Sequence, residues 1–186
     1  MRRGAELAAW IASLPAGDRD RVVEDALGIG SACSAPPGDH LIGHHASGVD
    51  AILAAVAELP IRSDDVVVDL GSGLGKAAIL IALLTGARVR GIEIQEDLVH
   101  RARACAARLG ARVDFVHGDV RTCAFDDATV LYLYCPFEGP VLAEIAQRMN
   151  ARVCALGVDL DRLAPQLCRR PSDSFWLALY GRKRTE

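Results

Sequence analysis

Residues 66–75 decide the fold, and they read Val66-Val67-Val68-Asp69-Leu70-Gly71-Ser72-Gly73-Leu74-Gly75. Three β-branched residues in succession are typical of a buried parallel strand. The glycines that follow can take positive φ angles and let the backbone approach a ligand closely. A helix is predicted directly after them, at residues 76–85, and Gly86 ends it. The segment therefore predicts a strand, a ligand-binding turn and a helix in succession.

The spacing of the glycines separates this turn from two other nucleotide-binding turns. A dinucleotide fingerprint requires GxGxxG, whereas here Gly75 comes one residue early. A P-loop requires GxxxxGK followed by Ser or Thr, whereas Leu70 replaces its first glycine and Ala77 its hydroxyl residue. Asp69 adds a charge argument, because a carboxylate before the turn repels a pyrophosphate and attracts a ligand that carries an ammonium and a sulfonium. We therefore expect NAD not to bind.

Strands alternate with helices along most of the chain. The predicted helices span residues 5–14, 18–27, 49–59, 76–85, 96–109 and 140–149, and the predicted strands span 66–68, 88–94, 112–116, 129–134, 152–158 and 175–180. This alternation predicts an α/β fold with a doubly wound, mostly parallel Rossmann-like sheet and helices on both faces. Residues 1–46 are expected to form N-terminal helices and a loop, and 47–186 the ligand-binding domain, within one globular unit. Ligands of such sheets bind at the carboxyl ends of the strands.

Acidic residues end the next two predicted strands. Glu93, followed by Ile94, comes after the second strand, where a carboxylate can accept hydrogen bonds from both hydroxyls of a ribose. Asp119, followed by Val120, comes after the third strand and can accept a hydrogen bond from an adenine amino group. The alternative is that both are ordinary solvated side chains. The position of Glu93, one βαβ unit after the glycine turn, favours a nucleoside site.

These three motifs, in this order, resemble the class I S-adenosylmethionine (SAM)-dependent methyltransferases, and the resemblance covers roughly residue 47 to the C-terminus. It implies a methyltransferase with SAM as cofactor and S-adenosylhomocysteine as product. It also implies that the glycine turn passes under the methionine part, that Glu93 binds the ribose and that Asp119 lies beside the adenine. The cofactor-binding candidates are Asp69, Gly71, Ser72, Gly73, Gly75, Glu93, Ile94, Asp119, Val120 and Tyr134.

Two further stretches resemble narrower groups of this family. The glycine turn with Lys76, then Gly91-Ile92-Glu93 and Phe137-Glu138-Gly139-Pro140, look like the Dot1-type protein-lysine methyltransferases. Residues 128–134 are similar to small bacterial relatives and to the ATP-synthase c-subunit lysine methyltransferases. The resemblance implies methyl transfer to a nucleophilic nitrogen, with a protein lysine as the first candidate. A small metabolite is the alternative acceptor, RNA or DNA comes third, and a SAM-binding module without turnover is the non-enzyme alternative.

The substrate pocket is predicted at Tyr134-Cys135-Pro136-Phe137-Glu138, after the fourth core strand. Many amino-group methyltransferases carry Asn/Asp-Pro-Pro-Tyr/Phe here, where the polar residue and backbone carbonyls hold the target nitrogen. Cys135 is a poor hydrogen-bond partner by comparison. Pro136 and Phe137 keep the wall of the pocket, and Glu138 can attract a cationic amine. The alternative is that Phe137 is a core residue and Glu138 is solvated.

Residues 30–45 have little periodicity and are predicted to form a loop. Loops of this length are often lids, and we expect this one to cover the cofactor and to become ordered chiefly with ligand. Its histidines and Cys33 are interpreted as ordinary loop residues, and we expect no metal, because zinc sites usually have tighter paired spacings. A histidine acting as a base is the alternative.

Composition and charge indicate which cellular compartment and which classes of binding partner to expect. The net charge of −3 gives no electrostatic reason to expect nucleic acid or anionic lipid as the main partner. The longest apolar run, residues 77–84, is too short to span a membrane, and the apolar region of a signal peptide is missing. Six cysteines without a CxxC pair favour a reducing compartment. We therefore expect a cytoplasmic protein whose partner is a protein or small-molecule methyl acceptor.

Overall fold

The computed structural model describes residues 1–30, 32 and 37–183. Its helices are α1 (Gly4–Ser13), α2 (Arg19–Leu27), α3 (Val49–Glu58), α4 (Lys76–Thr85), α5 (Glu96–Leu109) and α6 (Gly139–Arg148), with a 3₁₀ turn at Ala16–Asp18. Its strands are β1 (Val66–Leu70), β2 (Arg88–Glu93), β3 (Val113–His117), β4 (Val130–Tyr134), β5 (Arg152–Leu156), β6 (Leu167–Arg170) and β7 (Leu177–Arg182). Left-handed glycines end α2, α4 and α5, as the sequence predicts.

These strands form one sheet in the order β3-β2-β1-β4-β5-β7-β6. β1 to β5 are mutually parallel, and β7 runs antiparallel to both β5 and β6. The chain order reverses between β1 and β4, which lie side by side. A crevice at the carboxyl ends of these two strands is where ligands of open α/β sheets bind. The predicted α/β fold with a mostly parallel Rossmann-like sheet is confirmed.

Helices cover both faces of the sheet. The face defined by Val67 of β1 carries α1 to α5, and Leu7 of α1 and Val23 of α2 are fully buried in the same apolar cluster. The opposite face is covered by α6, whose Ile145 packs in a cluster with Leu131 of β4. The N-terminal helices thus share the core of the sheet. Each fully buried Leu, Ile or Val contributes about 1.5–3 kcal/mol to stability, so these helices help to stabilise the domain.

The C-terminal strands differ most from the sequence prediction. β6 was not predicted because only Leu167 is buried, while Cys168, Arg169 and Arg170 are exposed and leave no apolar run. The last strand begins at Leu177, two residues later than predicted, because Phe175 lies outside it and is 97% exposed. An aromatic residue beside an apolar run gives a strong strand signal even where it faces solvent.

Candidate functional site

The glycine turn needs its glycines for two separate reasons. Gly71, Gly73 and Gly75 have φ angles of 82°, 54° and 79°, a region that other residues rarely adopt. Space is also lacking, because a Cβ on Gly71 would clash with Pro136 and one on Gly73 with the ring of His44. The N–H groups of Gly71 and Ser72 donate to the carbonyl of Ile92, at 2.9 and 3.0 Å, which ties the turn to β2.

Glu93 lies at the end of β2, 6% exposed, and faces the turn. Its Oε2 accepts a hydrogen bond from the N–H of Gly73 at 2.8 Å, and its Oε1 accepts one from the N–H of Gln95 at 2.9 Å. An ionised carboxylate has about four lone-pair sites. The two backbone donors therefore fix the carboxylate and leave it able to accept two hydroxyl groups.

Asp69 lies at the end of β1 and is 3% exposed. Burial, together with the nearby charge of Glu93, raises the pKa of its carboxyl to about 7, while a hydrogen bond from the backbone of Ala78 opposes the shift. Two acidic groups thus face the same turn. A cationic ligand there relieves their repulsion and favours the ionised form of both.

Asp119 follows β3 and is held by its own neighbour. Its carboxylate accepts hydrogen bonds from the Arg121 guanidinium, the shortest 2.5 Å long, and from the backbone N–H of Arg121 at 2.9 Å. The Arg121 side chain holds the pKa of this carboxyl below its usual range. Asp119 therefore lies where the sequence predicts, but its oxygens are already engaged, so its part in holding an adenine stays a prediction.

A first cleft opens along the carboxyl ends of β2, β3 and β4. Its walls include Glu93, Ile94, Asp119, Val120, Tyr134 and Phe137. The Glu93 carboxylate in this cleft can bind hydroxyl groups, and the apolar side chains beside it can pack on a flat ring. This arrangement fits a nucleoside.

A second cleft lies over the other side of the glycine turn, towards α2 and α3. Buried polar residues line it, namely Ser47, Asp69, Ser72, Lys76 and Tyr132. Lys76 is 5% exposed and forms ion pairs with Asp20 and Glu24 of α2, at 2.9 and 2.6 Å. The two clefts meet at four shared residues, His44, His45, Gly71 and Tyr134.

Tyr132 is an uncommon residue for the interior of a sheet. It lies beside Asp69 across β1 and β4 and is 1% exposed. Burial raises its pKa well above the usual value, so the hydroxyl is neutral. The side chain of Ser47 lies beside this hydroxyl and opposes the shift, although the oxygen makes no hydrogen bond of standard geometry with any residue that the structure describes. A buried polar atom of this kind is expected to meet a ligand or water.

Residues 37–45, called the strap here, cover the first cleft. Leu41 pairs with Phe137 in an isolated antiparallel bridge. The N–H of Ile42 donates to the carbonyl of Pro136 at 3.0 Å, and the N–H of Glu138 donates to the carbonyl of His40 at 2.9 Å. The strap is thus attached by its backbone to the predicted substrate wall. Cys33 and part of the predicted loop lie outside the described residues, so ligand-dependent ordering stays a prediction.

The predicted substrate wall has an unusual backbone conformation. Cys135 has a φ of 41°, in the left-handed region, and its thiol donates to the carbonyls of Leu156 and Gly157, both at 3.3 Å. Burial raises the pKa of this thiol, which keeps it protonated. Tyr134, Cys135, Pro136 and Phe137 line the first cleft, whereas Glu138 is exposed and lines neither cleft.

A protein-family model for "Methyltransferase domain" matches residues 67–144. The match runs from β1 into α6 and includes the glycine turn, Glu93, Asp119 and the substrate wall. The fold is that of the class I SAM-dependent methyltransferases. The family match confirms the predicted methyltransferase domain, with SAM as its cofactor, while the narrower resemblance to protein-lysine methyltransferases stays a prediction.

Two curated proteins are similar to part of this chain, and their names give different activities. The 27-O-demethylrifamycin SV methyltransferase of Amycolatopsis mediterranei is 38% identical over 73 residues, which are 38% of this chain and 27% of that protein. The carboxy-S-adenosyl-L-methionine synthase of Wolinella succinogenes is 36% identical over 80 residues, 41% of this chain and 33% of that protein. The chain therefore spans about a third or less of these two relatives.

A solved structure shares more of the chain. An RNA methyltransferase from Salinibacter ruber, in complex with S-adenosylhomocysteine, is similar with a TM-score of 0.60 and 29% identity, covering 73% of this chain and 91% of that one. Its similarity extends across most of the methyltransferase domain rather than the glycine turn alone.

Sequence reasoning missed the residues that build the second cleft. Asp20 and Glu24 are far from the turn in sequence, and only the tertiary fold brings them to Lys76. Tyr132 resembled an ordinary core residue of β4. The one available signal was Lys76 itself, a charge at the start of an otherwise apolar helix.

Two kinds of feature are absent from the part of the chain that the structure describes, namely a metal-binding cluster and a membrane-spanning helix. Residues 1–30, 32 and 37–183 contain no cluster of His, Cys, Asp or Glu with the geometry to hold a metal ion. Cys105, Cys123, Cys135, Cys154 and Cys168 are free thiols. Within the same ranges, every helix is too short or too polar to cross a bilayer.

Proposed function

We propose that the protein transfers the methyl group of SAM to a nucleophilic nitrogen that enters the second cleft. The observation that carries this proposal is the meeting of the two clefts at Gly71, Tyr134 and the histidine pair of the strap. One cleft suits a nucleoside and the other suits a polar group, so a donor and an acceptor bound in them face each other.

The cofactor site follows from the residues already described. Glu93 binds the ribose hydroxyls, Ile94 and Val120 flank the adenine, and Asp119 lies at its edge. The glycine turn holds the methionine part, and the acidic pair of Asp69 and Glu93 attracts its positive charges. When bound, SAM supplies a methyl group already activated by the sulfonium.

The chain contributes alignment and water exclusion. Methyl transfer is a one-step displacement that depends on holding the two reacting atoms in line. The strap, bonded to Pro136 and Glu138, covers the site and keeps water out. A buried setting also lowers the pKa of an entering amine, which favours the unprotonated, nucleophilic form.

A nitrogen acceptor is supported by the lining of the second cleft. Asp69 and Tyr132 offer oxygen atoms that can accept hydrogen bonds from an N–H group, and the Tyr132 hydroxyl, which lies beside Ser47, makes no hydrogen bond of standard geometry with any described residue. Glu24 adds a carboxylate at the mouth, 34% exposed in its side chain. These groups favour an N–H donor over a purely apolar acceptor.

A protein lysine, a small metabolite and a base in nucleic acid all carry such a nitrogen. A small molecule is the second candidate, and the docked strap supports it because the strap narrows the way in. The experiment is incubation of the protein with radiolabelled SAM and separate protein, RNA and low-mass fractions of a cell extract. We expect label in one fraction for the wild type and little for Glu93→Ala. Binding of SAM without label in any fraction would contradict turnover and indicate a binding module.

A further inference from the structure

His44, in the strap, lies where the two clefts meet. It lines both clefts, together with His45, Gly71 and Tyr134. The proposed transfer brings the acceptor nitrogen and the methyl group together at this junction, but it gives the histidine no part in the chemistry. Histidine is the side chain that most readily takes up and releases a proton near neutral pH, so this position suits proton transfer.

Of the two histidines at the junction, His44 is the better placed. Its ring is half-buried and lies against the glycine turn, where its Nδ1 and Cε1 atoms occupy the space that a Cβ on Gly73 would need. His45 is exposed. A ring that packs on the turn keeps a fixed position relative to a cofactor bound by that turn, and proton transfer requires such a position.

The charged and titratable groups around His44 come from four segments of the chain. Burial lowers the pKa of its imidazole, and the carboxylate of Glu93, at the end of β2, opposes that shift. His45 of the strap, Lys76 of α4 and Arg101 of α5 add to the lowering. Since the usual pKa of histidine is about 6.5, the ring is mostly neutral at pH 7. A neutral imidazole has one nitrogen that can accept a proton.

The acceptor nitrogen has a proton to lose. Burial favours a neutral amine, but the carboxylates that line the second cleft, Glu24 and Asp69, favour its ammonium form. An ammonium has no lone pair and cannot attack a methyl carbon, so a group in the site has to take its proton. Asp69 is a weak base for this purpose, because a cationic cofactor favours its ionised form.

We propose that His44 is the proton acceptor of the methyl transfer, a role that rests on the proposed function. A ring nitrogen of His44 takes one N–H proton from the acceptor ammonium. The lone pair that is freed forms the N–C bond to the methyl carbon while the C–S bond breaks and leaves its electrons on sulfur. The products are S-adenosylhomocysteine and a methylated ammonium. His44 then releases its proton to water beside His45 and Ala46, which are exposed.

Sinefungin tests the proposal without turnover. This analogue of SAM carries an amine where SAM carries its methyl group, so the amine lies at the junction, whereas S-adenosylhomocysteine has no group there. Calorimetry measures the affinity of both ligands. We expect the wild type to prefer sinefungin, and His44→Asn to lower this preference about tenfold, as loss of a hydrogen bond to a charged group does. A merely structural role of His44 would weaken both ligands equally and leave the preference unchanged.

NMR titration of the wild type gives a second measurement that needs no variant. The signal of the His44 ring reports its pKa in the complexes with sinefungin and with S-adenosylhomocysteine. An ammonium that donates to the ring disfavours the imidazolium. We therefore expect a lower His44 pKa in the sinefungin complex than in the other one.

The matched control is His100→Asn, because the His100 side chain is 66% exposed on α5, and we expect it to keep the wild-type preference. An unchanged preference in a folded His44→Asn variant would overturn the proposal, as would equal His44 pKa values in the two complexes. Label transfer by the wild type together with either result would contradict the role of His44 alone. Absence of label in every fraction would instead contradict the methyl transfer itself.

Discussion

Glu93 and Gly73 are joined by a hydrogen bond of 2.8 Å between the carboxylate and the backbone N–H. The group proposed to hold the ribose is thus positioned by the turn proposed to hold the methionine part. Removing the side chain takes away both the ribose contacts and this link. The two halves of the cofactor site therefore depend on each other.

Glu93→Ala is expected to weaken SAM binding by about 1.5–3 kcal/mol, the usual cost of losing hydrogen bonds to a charged group. Isothermal titration calorimetry with SAM measures it. Glu96→Ala is the control, because Glu96 is exposed at the start of α5. Unchanged affinity in a folded Glu93→Ala variant would mean that another residue binds the ribose.

Gly73→Ala tests the turn itself. The added Cβ would clash with His44, and φ is 54° at this position. We expect SAM affinity to fall at least tenfold, because strain at such positions costs on the order of 1–3 kcal/mol and the strap must move. Gly17→Ala is the matched control, since nothing lies within 4 Å of its added Cβ. Equal affinity in both variants would contradict the tight approach of the strap.

SAM binding is expected to release protons near neutral pH. Burial raises the pKa of Asp69 to about 7, and a cationic ligand favours its ionised form. Affinity should therefore rise as pH increases through 7. Calorimetry in buffers of different ionisation enthalpy counts the protons, and Asp69→Asn should abolish the release if it folds.

The Asp69 carboxyl is expected to lower the stability of the free protein as pH rises, whereas it raises the affinity for SAM. The folded state keeps the Asp69 proton up to about pH 7, whereas an unfolded aspartate loses it near pH 4. The unfolded state thus binds fewer protons between these values, so the contribution of Asp69 to stability falls as pH rises from about 4 to 7. Urea unfolding of wild type and Asp69→Asn across this window measures the difference.

Lys76 is expected to depend on its two carboxylate partners in α2. Asp20→Asn with Glu24→Gln leaves a buried ammonium unpaired, and we expect a loss of about 1–3 kcal/mol in the free energy of unfolding. This is below the usual 3–5 kcal/mol, because the Asp20 side chain is 54% exposed. Adding Lys76→Met to that variant should restore part of the loss. Asp18→Asn, which breaks an exposed pair with Arg21, is expected to cost less than about 1 kcal/mol.

The strap is expected to exchange its amide hydrogens more slowly when S-adenosylhomocysteine is bound. The reason is that a ligand in the first cleft contacts residues 41–45 and adds to the two backbone bonds at Pro136 and Glu138. Hydrogen exchange of residues 37–45 with and without the ligand measures it. Equal protection would mean that the strap is a permanently ordered surface loop.

The sequence predicted the parts of the site that depend on local chemistry. The glycine spacing after β1 and the acids after β2 and β3 can be recognised without knowing any packing, because each motif follows its own strand directly. α4 and α5 were predicted with the residue bounds that they have in the structure. Their apolar patterns and terminal glycines are local signals of the same kind.

The rest depended on contacts between distant residues. The bridge between Leu41 and Phe137 joins segments almost a hundred positions apart, and α2 reaches Lys76 across fifty. No local pattern encodes either contact. β6 was missed for a different reason, since an edge strand with one buried residue has no periodicity to detect.

A crystal structure of the protein with S-adenosylhomocysteine tests the central claim most directly. We predict the ribose hydroxyls on Glu93, the adenine between Ile94 and Val120, and the sulfur at the junction of the two clefts beside Gly71 and Tyr134. The sulfur should face the second cleft. A ligand bound away from Glu93, or with its sulfur turned from that junction, would contradict the proposed transfer.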